Sequence, residues 1–384
     1  MIASLSILMQ SSFWFSLIIS IALSPFNLVV FLGLCISEII YFPFSLFLKQ
    51  TSDKKRVKDL LVSIIVLNWD GKHLLEKFLP SVIEAVRVDG DNHEIIVVDN
   101  GSTDESVSFL KSHFPQVKIL ALPENLRFTG GNNAGVQTAE NDIVIFLNND
   151  MEVDPGFLKP LVKAFDNDKV FAVSSQVFFQ DRSRRREETG NTKAEWKQGF
   201  VNLYHDKICT AEENKYLPIF WAGGGSSAFD RKKFLALGGL DKLYDPFYLE
   251  DVDLSYQAWK RGWKSLLAIE SVVTHKHRGT NKQKFGNNYV DNTIRKNQYL
   301  FIWKSITNVK WILQYTFLLP ITQTRFVAQT NFTFETKAFF RALLQFPEVL
   351  YKRYRWRHYY CLSDKQIFEE TSKKKVLSSA SFNS

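Results

Sequence analysis

With 384 residues and an ordinary apolar fraction of 45%, the chain has room for one large α/β domain plus accessory segments; much of its high count of 33 Phe lies toward the two ends. The net charge is +8, and residues 301–384 alone hold 13 Lys or Arg against 5 Asp or Glu, so the basic excess belongs to the C-terminal part and the middle is near balance. Cys35, Cys209 and Cys361 lie far apart and match neither zinc nor redox spacing, which argues against a secreted disulfide scaffold and fits a reducing compartment.

Residues 1–48 carry one charged side chain, Glu38. Phe13–Ser24 and Phe26–Ser37 are almost wholly apolar or small with Pro25 between them, enough for one long membrane span or two short ones. Without a positive n-region, a cleavable signal peptide is disfavoured. Five basic residues between Lys49 and Lys58 follow, and by the positive-inside rule they hold the rest of the chain in the cytoplasm. The expected location is the inner (cytoplasmic) membrane, with residues 1–48 as anchor and 49–60 as linker.

The apolar run Leu61–Leu67 predicts a strand ending at Asn68-Trp-Asp70-Gly71, followed by a helix with apolar residues from Leu74 to Val86 that Pro80 should kink or delay. Glu94–Val98 predicts a second strand, ending at Asp99-Asn100-Gly-Ser-Thr-Asp104, where Ser102 or Thr103 can cap the next helix. A strand near Val117–Ala121 completes a doubly wound parallel pattern. The first turn lacks G-x-G-x-x-G, which disfavours a nicotinamide or flavin dinucleotide, and no G-x-x-x-x-G-K-[ST] occurs. Asn125–Gly135 reads as a glycine- and amide-rich loop ahead of a short helix. There Gly130 and Gly131 allow close backbone approach, Asn132 and Asn133 can bond hydroxyls or phosphate, and Arg127 offers a phosphate fork.

Ile143–Leu147 predicts a strand buried on both faces that runs straight into Asn148-Asn149-Asp150. Asn148-x-Asp150 presents two oxygen-bearing side chains pointing the same way, suited to a hard divalent cation carrying a diphosphate. Pro155–Phe165 predicts a helix and Val170–Phe178 a strand. Arg182–Arg186 is a basic cluster, and Thr189–Leu217 shows no clear period and reads as an irregular insert. Phe220–Phe229 predicts a strand interrupted by Gly223, Gly224 and Gly225, so something approaches its backbone closely, with Trp221 beside it. Glu250-Asp251-Val-Asp253 opens a helix; Asp251 is the candidate general base, Glu250 its neighbour and Asp253 structural. A last strand ends at His275, a third metal ligand in prospect, with His277 close by.

Six segments, Val62–Asp70, Val97–Asp104, Gly130–Gly135, Leu147–Asp150, Glu250–Leu254 and His275, together resemble the inverting GT-A glycosyltransferases of family 2, in particular the rhamnosyltransferase-like bacterial branch. The resemblance spans residue 61 to about 300, with the domain placed at 61–294. It implies a Rossmann-like, mostly parallel sheet and a nucleotide-diphospho-sugar donor. Asp99 would read the base with Asn68 beside it, and Asp70, Asn100, Arg127, Gly130, Gly131, Asn132, Asn133, Asn148 and Asn149 would complete the donor site. It further implies Mg²⁺ or Mn²⁺ on Asp150 and His275, an acceptor side at Trp221, Gly223 and Gly224, and Asp251 deprotonating the acceptor hydroxyl. Two departures stand out: Asn148 replaces the first acid of D-x-D, and Arg127 stands where the family often has a small residue.

Residues 295–360 interleave Arg295, Lys296, Lys304 and Lys310 with Trp303, Trp311 and the run Tyr315–Ile321, which predicts amphipathic helices on an anionic membrane surface. No nucleic-acid motif accompanies these residues. The tail 361–384 is expected to be flexible. Membrane association at both ends points to a glycan or lipid-linked acceptor. A nucleotidyltransferase and an inactive membrane scaffold are the competing classes; the first would not need the Trp221–Gly225 and Glu250-Asp251 side, and retention of Asp150, Asp251 and His275 together argues against the second.

Overall fold

The computed structural model describes residues 23–41, 60–90, 92–179, 190–208, 215–275 and 284–372. The basic flank 49–58, the cluster 182–186, His277, the apolar residues before 23 and Lys373–Lys375 lie outside them. The chain divides into two compact units. One comprises Thr51–Ala194, Leu203–Thr280 and Ile367–Ser384; the other comprises Met1–Gln50, Glu195–Asn202 and Asn281–Gln366.

The first unit is built on a nine-stranded sheet in the order β3-β2-β1-β4-β10-β6-β11-β5, with β9 paired to β11. The strands are β1 (Val62–Asn68), β2 (Glu94–Asp99), β3 (Lys118–Ala121), β4 (Ile143–Asn148), β5 (Met151–Val153), β6 (Val170–Phe179), β9 (Tyr216–Pro218), β10 (Ser226–Asp230) and β11 (Lys264–His275). Strands β1 to β4 are parallel, as their apolar runs predict. The sheet is nevertheless mixed, because β10 inserts antiparallel between β4 and β6, and β5 and β9 run antiparallel to β11. Ile64, Ile65, Ile96, Val97, Ile145 and Phe146 are fully buried, each contributing about 1.5–3 kcal/mol of apolar burial.

Helix α2 (Lys72–Asp89) runs through Pro80 without a break. Helix α3 (Ser106–His113) is not capped by Ser102 or Thr103: Asp104 accepts from Ser106, and Ser102 Oγ turns to the backbone N–H of Asp70. The expected loop at 130–135 is helical, lying inside α4 (Arg127–Thr138). That helix sits so close to the sheet that a methyl group on Gly131 would lie 2.5 Å from Leu67, and one on Gly135 2.6 Å from Ile65. The helix expected at 155–165 is shorter, α5 (Leu158–Lys163) followed by a 3₁₀ turn. The expected irregular insert contains a hairpin of β7 (Thr192–Lys197) and β8 (Phe200–His205). The strand expected at 220–229 begins only at Ser226 and leads into α6 (Arg231–Ala236). Helix α7 (Glu250–Lys260) follows with three acids in its first turn. Lys193, buried, donates from Nζ to the carbonyls of Pro218 (2.9 Å) and Thr371 (2.8 Å), while the Phe368 ring packs 5.1 Å from Phe220. Residues 364–372, expected within a flexible tail, therefore form a helix whose final turns belong to this core.

In the second unit, α1 (Leu23–Tyr41) packs with α8 (Asn287–Ser305), α9 (Val309–Gln329), α10 (Phe332–Leu344) and α11 (Phe346–Arg357); α12 (Asp364–Ser372) follows. Arg295, Lys296, Trp303 and Lys304 are buried and form no membrane face, contrary to expectation. Arg295 makes three bonds to Glu335, of 2.9, 3.0 and 3.3 Å, Tyr299 donates to the same carboxylate, and the Phe326 ring lies 3.7 Å from the guanidinium. A buried fork of this kind satisfies the charge from inside the bundle.

Candidate active site

Strand register brings the predicted residues together. Asn68 pairs with Asp99 and Leu67 with Asn148, so β1, β2 and β4 end level with one another. His275 pairs with Met151, one residue beyond Asp150. In such sheets the carboxyl ends of the strands are where ligands bind.

Asn68 is the hub of the β1 end. Its amide donates to Asp99 Oδ1 (3.2 Å) and to the hydroxyls of Ser102 (3.3 Å) and Ser106 (3.0 Å), and its carbonyl accepts from Asn149 (2.8 Å). Asp99 is buried and accepts from the Ser102 backbone with its other oxygen, which fixes the carboxylate's orientation. Asp70, with φ of 51°, ties the two loops together by accepting from the Thr103 backbone and hydroxyl. Asn100 accepts from Leu126 N and donates to Asn125 and to the Arg127 carbonyl, so it holds the start of α4, where Arg127 is exposed. Of the α4 residues, Asn132 donates to the Phe128 carbonyl within its own helix. Asn133 bonds Leu240 through both its polar atoms, at 2.9 Å each, so it braces that turn. Gly130 lies against Leu126, the residue that precedes the helix.

At the β4 end, Asp150 Oδ2 lies 3.2 Å from His275 Nε2, and Asp150 Oδ1 is buried without a hydrogen-bond partner. A buried carboxyl oxygen with nothing to bond is expensive. With a neighbouring imidazole it forms a donor pair that fits one divalent cation, the rest of whose shell would come from a ligand and water. Among the described residues no group of three His, Cys, Asp or Glu side chains is placed to hold a metal.

The glycine stretch connects this corner to α7. A methyl on Gly225 would meet the Asn148 amide at 2.7 Å, and one on Gly224 would meet the Phe128 ring at 2.8 Å, while Gly223 faces open space. Gly224 N donates to Asp251 Oδ2 (3.0 Å), and Asp251 Oδ1 accepts from Val252 N (2.8 Å). Trp221 is buried, its backbone held by Thr192 and its indole against His205, so it supports this stretch from behind rather than lining an acceptor surface. Asp253 accepts from the Tyr244 hydroxyl at 3.0 Å, the structural role expected of it.

Burial raises the carboxyl pKa of Asp251, against the lowering effect of the Gly224 and Val252 amides. Glu250 is 5% exposed and is pushed further, well above the ordinary carboxylate range, by burial first and then by the charges of Asp251 and Asp245. The two adjacent acids are thus both shifted upward, Glu250 further than Asp251. Tyr248 and Leu249 just before them have φ of 71° and 73°, strained values for side chains of this size that occur where a site over-determines the backbone. The sequence carries no visible signal of that strain. Of the two serines that orient Asn68, the sequence marks Ser102 only as a possible helix cap and does not single out Ser106, at the start of α3.

Residues 63–234 match the family described as Glycosyl transferase family 2. N-acetylgalactosaminyltransferase 6 of Drosophila melanogaster is 27% identical over 197 residues, covering 48% of this chain and 29% of that protein. N-acetylglucosaminyl-diphospho-decaprenol L-rhamnosyltransferase of Mycobacterium tuberculosis is 26% identical over 245 residues, covering 56% of this chain and 76% of that protein. The crystal structure of GalNAc-T7 with UDP, GalNAc and Mn2+ aligns with a TM-score of 0.56 at 17% identity, over 81% of this chain and 56% of that one, which shows a shared fold. The chain spans less than a third of the length of the first animal transferases it matches. The family match stops before Glu250, Asp251 and His275, so their roles rest on geometry.

Proposed function

We propose, from the match of residues 63–234 to Glycosyl transferase family 2 and from a fold shared with a solved transferase, that this protein is a membrane-attached, inverting transferase. It moves a sugar from a nucleoside diphosphate donor to a hydroxyl of a glycan or lipid-linked acceptor. The observation that carries the reading is the convergence of Asp99, Asp150 and Asp251 through the contacts Asn68–Asn149, Gly225–Asn148 and Gly224–Asp251.

Asp99 and Asn68 receive the nucleoside, their orientation fixed by Ser102 and Ser106. Asp150 and His275 would hold a divalent cation, which as a Lewis acid neutralises charge on the departing diphosphate. Asp251, which faces the glycine stretch through Gly224, is the general base on the acceptor side. It takes the proton of the acceptor hydroxyl as that oxygen bonds to the anomeric carbon and the bond to the diphosphate oxygen breaks. With Asp251 as base and no carboxylate assigned as nucleophile, the transfer is a single displacement that inverts the anomeric centre. Glu250 stands beside Asp251, its carboxyl pushed well above the ordinary range by burial and then by the Asp251 charge. The apolar α1, the exposed Lys310 and Arg325 of α9 and the basic residues between Lys49 and Lys58 support membrane attachment with the domain on the cytoplasmic face. The test is to incubate membranes containing the chain with a panel of nucleotide sugars and measure nucleoside diphosphate release; no release above membranes lacking the chain, with any donor, refutes the reading.

A further inference from the structure

We propose that α1 lies in the plane of one membrane leaflet instead of crossing it, so that α1 and α9 together present a surface to anionic lipid. This rests on the membrane attachment proposed above. By length and composition α1 could cross a bilayer: it has 19 residues, about 28 Å of helix, against a hydrocarbon core of about 30 Å. Its contacts argue otherwise. From first turn to last it is bound to helices of its own unit: Phe26 packs 5.1 Å from Phe340 and Asn27 donates to Gln323. Gly33 approaches Phe346 so closely that a methyl there would lie 2.9 Å from its ring. Glu38, the only charge in residues 1–48, is held at 2.6 Å by both Arg353 and Arg357. An upright α1 would therefore carry α11 with it, and with α11 the ion pair Lys352–Glu348 and the exposed Arg355, into hydrocarbon.

The side of α1 turned away from these contacts is apolar and exposed: Leu28, Val29, Leu32, Ile36, Ile39 and Ile40, with Ile39 71% exposed. Helix α9 repeats the pattern at four-residue steps in Val309, Leu313, Phe317 and Ile321, with Phe317 75% exposed. Exposed Lys310 and Arg325 flank that stripe. An apolar stripe with basic flanks is the arrangement of a helix lying at an anionic interface.

The test uses the full chain with Cys35, Cys209 and Cys361 replaced, reconstituted into vesicles containing phosphatidylglycerol. Nitroxide labels are placed singly at Leu28, Leu32, Ile36, Ile40 and Phe317, and their depth is read from collisions with oxygen and with a water-soluble nickel complex. The expected result is one shallow depth for all five. An upright helix would instead separate Leu28 from Ile40 by about 18 Å along the bilayer normal, with a maximum depth between them. That result overturns this inference and leaves membrane attachment standing. Labels that meet neither lipid nor oxygen, because protein covers the stripe, or that are as wet as a label on Lys159, overturn both.

Discussion

Replacing Asp251 by Asn separates its role as proton acceptor from its role in holding the glycine stretch. The carboxylate accepts two backbone bonds, from Gly224 at 3.0 Å and Val252 at 2.8 Å. Asn keeps one acceptor oxygen, so the structural loss is one hydrogen bond, about 1 kcal/mol. The chemical loss is larger: general bases contribute about 10²–10⁴ in rate, or about 3–5 kcal/mol of barrier. Single-turnover transfer should fall by that factor while nucleoside diphosphate affinity, measured by calorimetry, stays within about threefold. Equal loss of binding and turnover would refute the assignment. Glu250→Gln is the companion. Burial and the Asp251 charge keep the Glu250 carboxyl protonated well above its ordinary value of 4.5, and Gln imitates that neutral form, so turnover should be largely retained. The sign for stability follows. A carboxyl whose pKa is higher in the folded chain contributes stability that is complete below about 4.5 and is lost as pH rises through the folded value. Glu250→Gln should therefore melt above the wild type at alkaline pH, with the gap closing toward pH 4.5; a constant gap would show that Glu250 does not titrate there.

Asp150→Ala removes the unpartnered buried oxygen, and transfer should fall at least about 100-fold while the divalent cation needed for half-maximal rate rises; an unchanged cation titration counts against the Asp150–His275 pair. Gly225→Ala places a methyl 2.7 Å from the Asn148 amide and should cost about 10- to 100-fold in kcat/KM with little change in urea midpoint. Glu335→Gln strands the buried Arg295 charge and should cost about 3–5 kcal/mol in urea unfolding; Arg295→Met with Glu335→Leu, which removes both charges, should recover most of it. The rate of transfer should rise with pH on a limb set above the ordinary aspartate range, because burial raises Asp251.

The parallel half of the sheet was legible because strands buried on both faces must be continuous apolar runs, and the polar residue that ends each run marks the carboxyl edge of the sheet. Helix α4 was not. Glycine and asparagine disfavour a helix, yet Gly131 and Gly135 are what let this one press against Leu67 and Ile65, so tertiary contact overrides local preference. The charges of α8 misled for a related reason. Arg295 reads as a surface residue until Glu335, forty positions on, folds against it, and no local pattern carries a pairing at that separation. Asp150 was picked out from its neighbours Asn148 and Asn149, but its closeness to His275 depends on β5 pairing antiparallel with β11, which only the fold reveals.

The return of the chain end to the catalytic unit sets an order of assembly. Lys193 and Phe220 wait for Thr371 and Phe368, which leave the ribosome roughly a hundred residues after the last strand is made. At about 5–20 residues per second that interval is about 5–20 s. Through it the buried ammonium lacks a carbonyl and an aromatic face lies bare, while α1, synthesised first, is already available to lipid. A ribosome stalled just before Phe368 would display a domain with every described strand in place and its core unsealed.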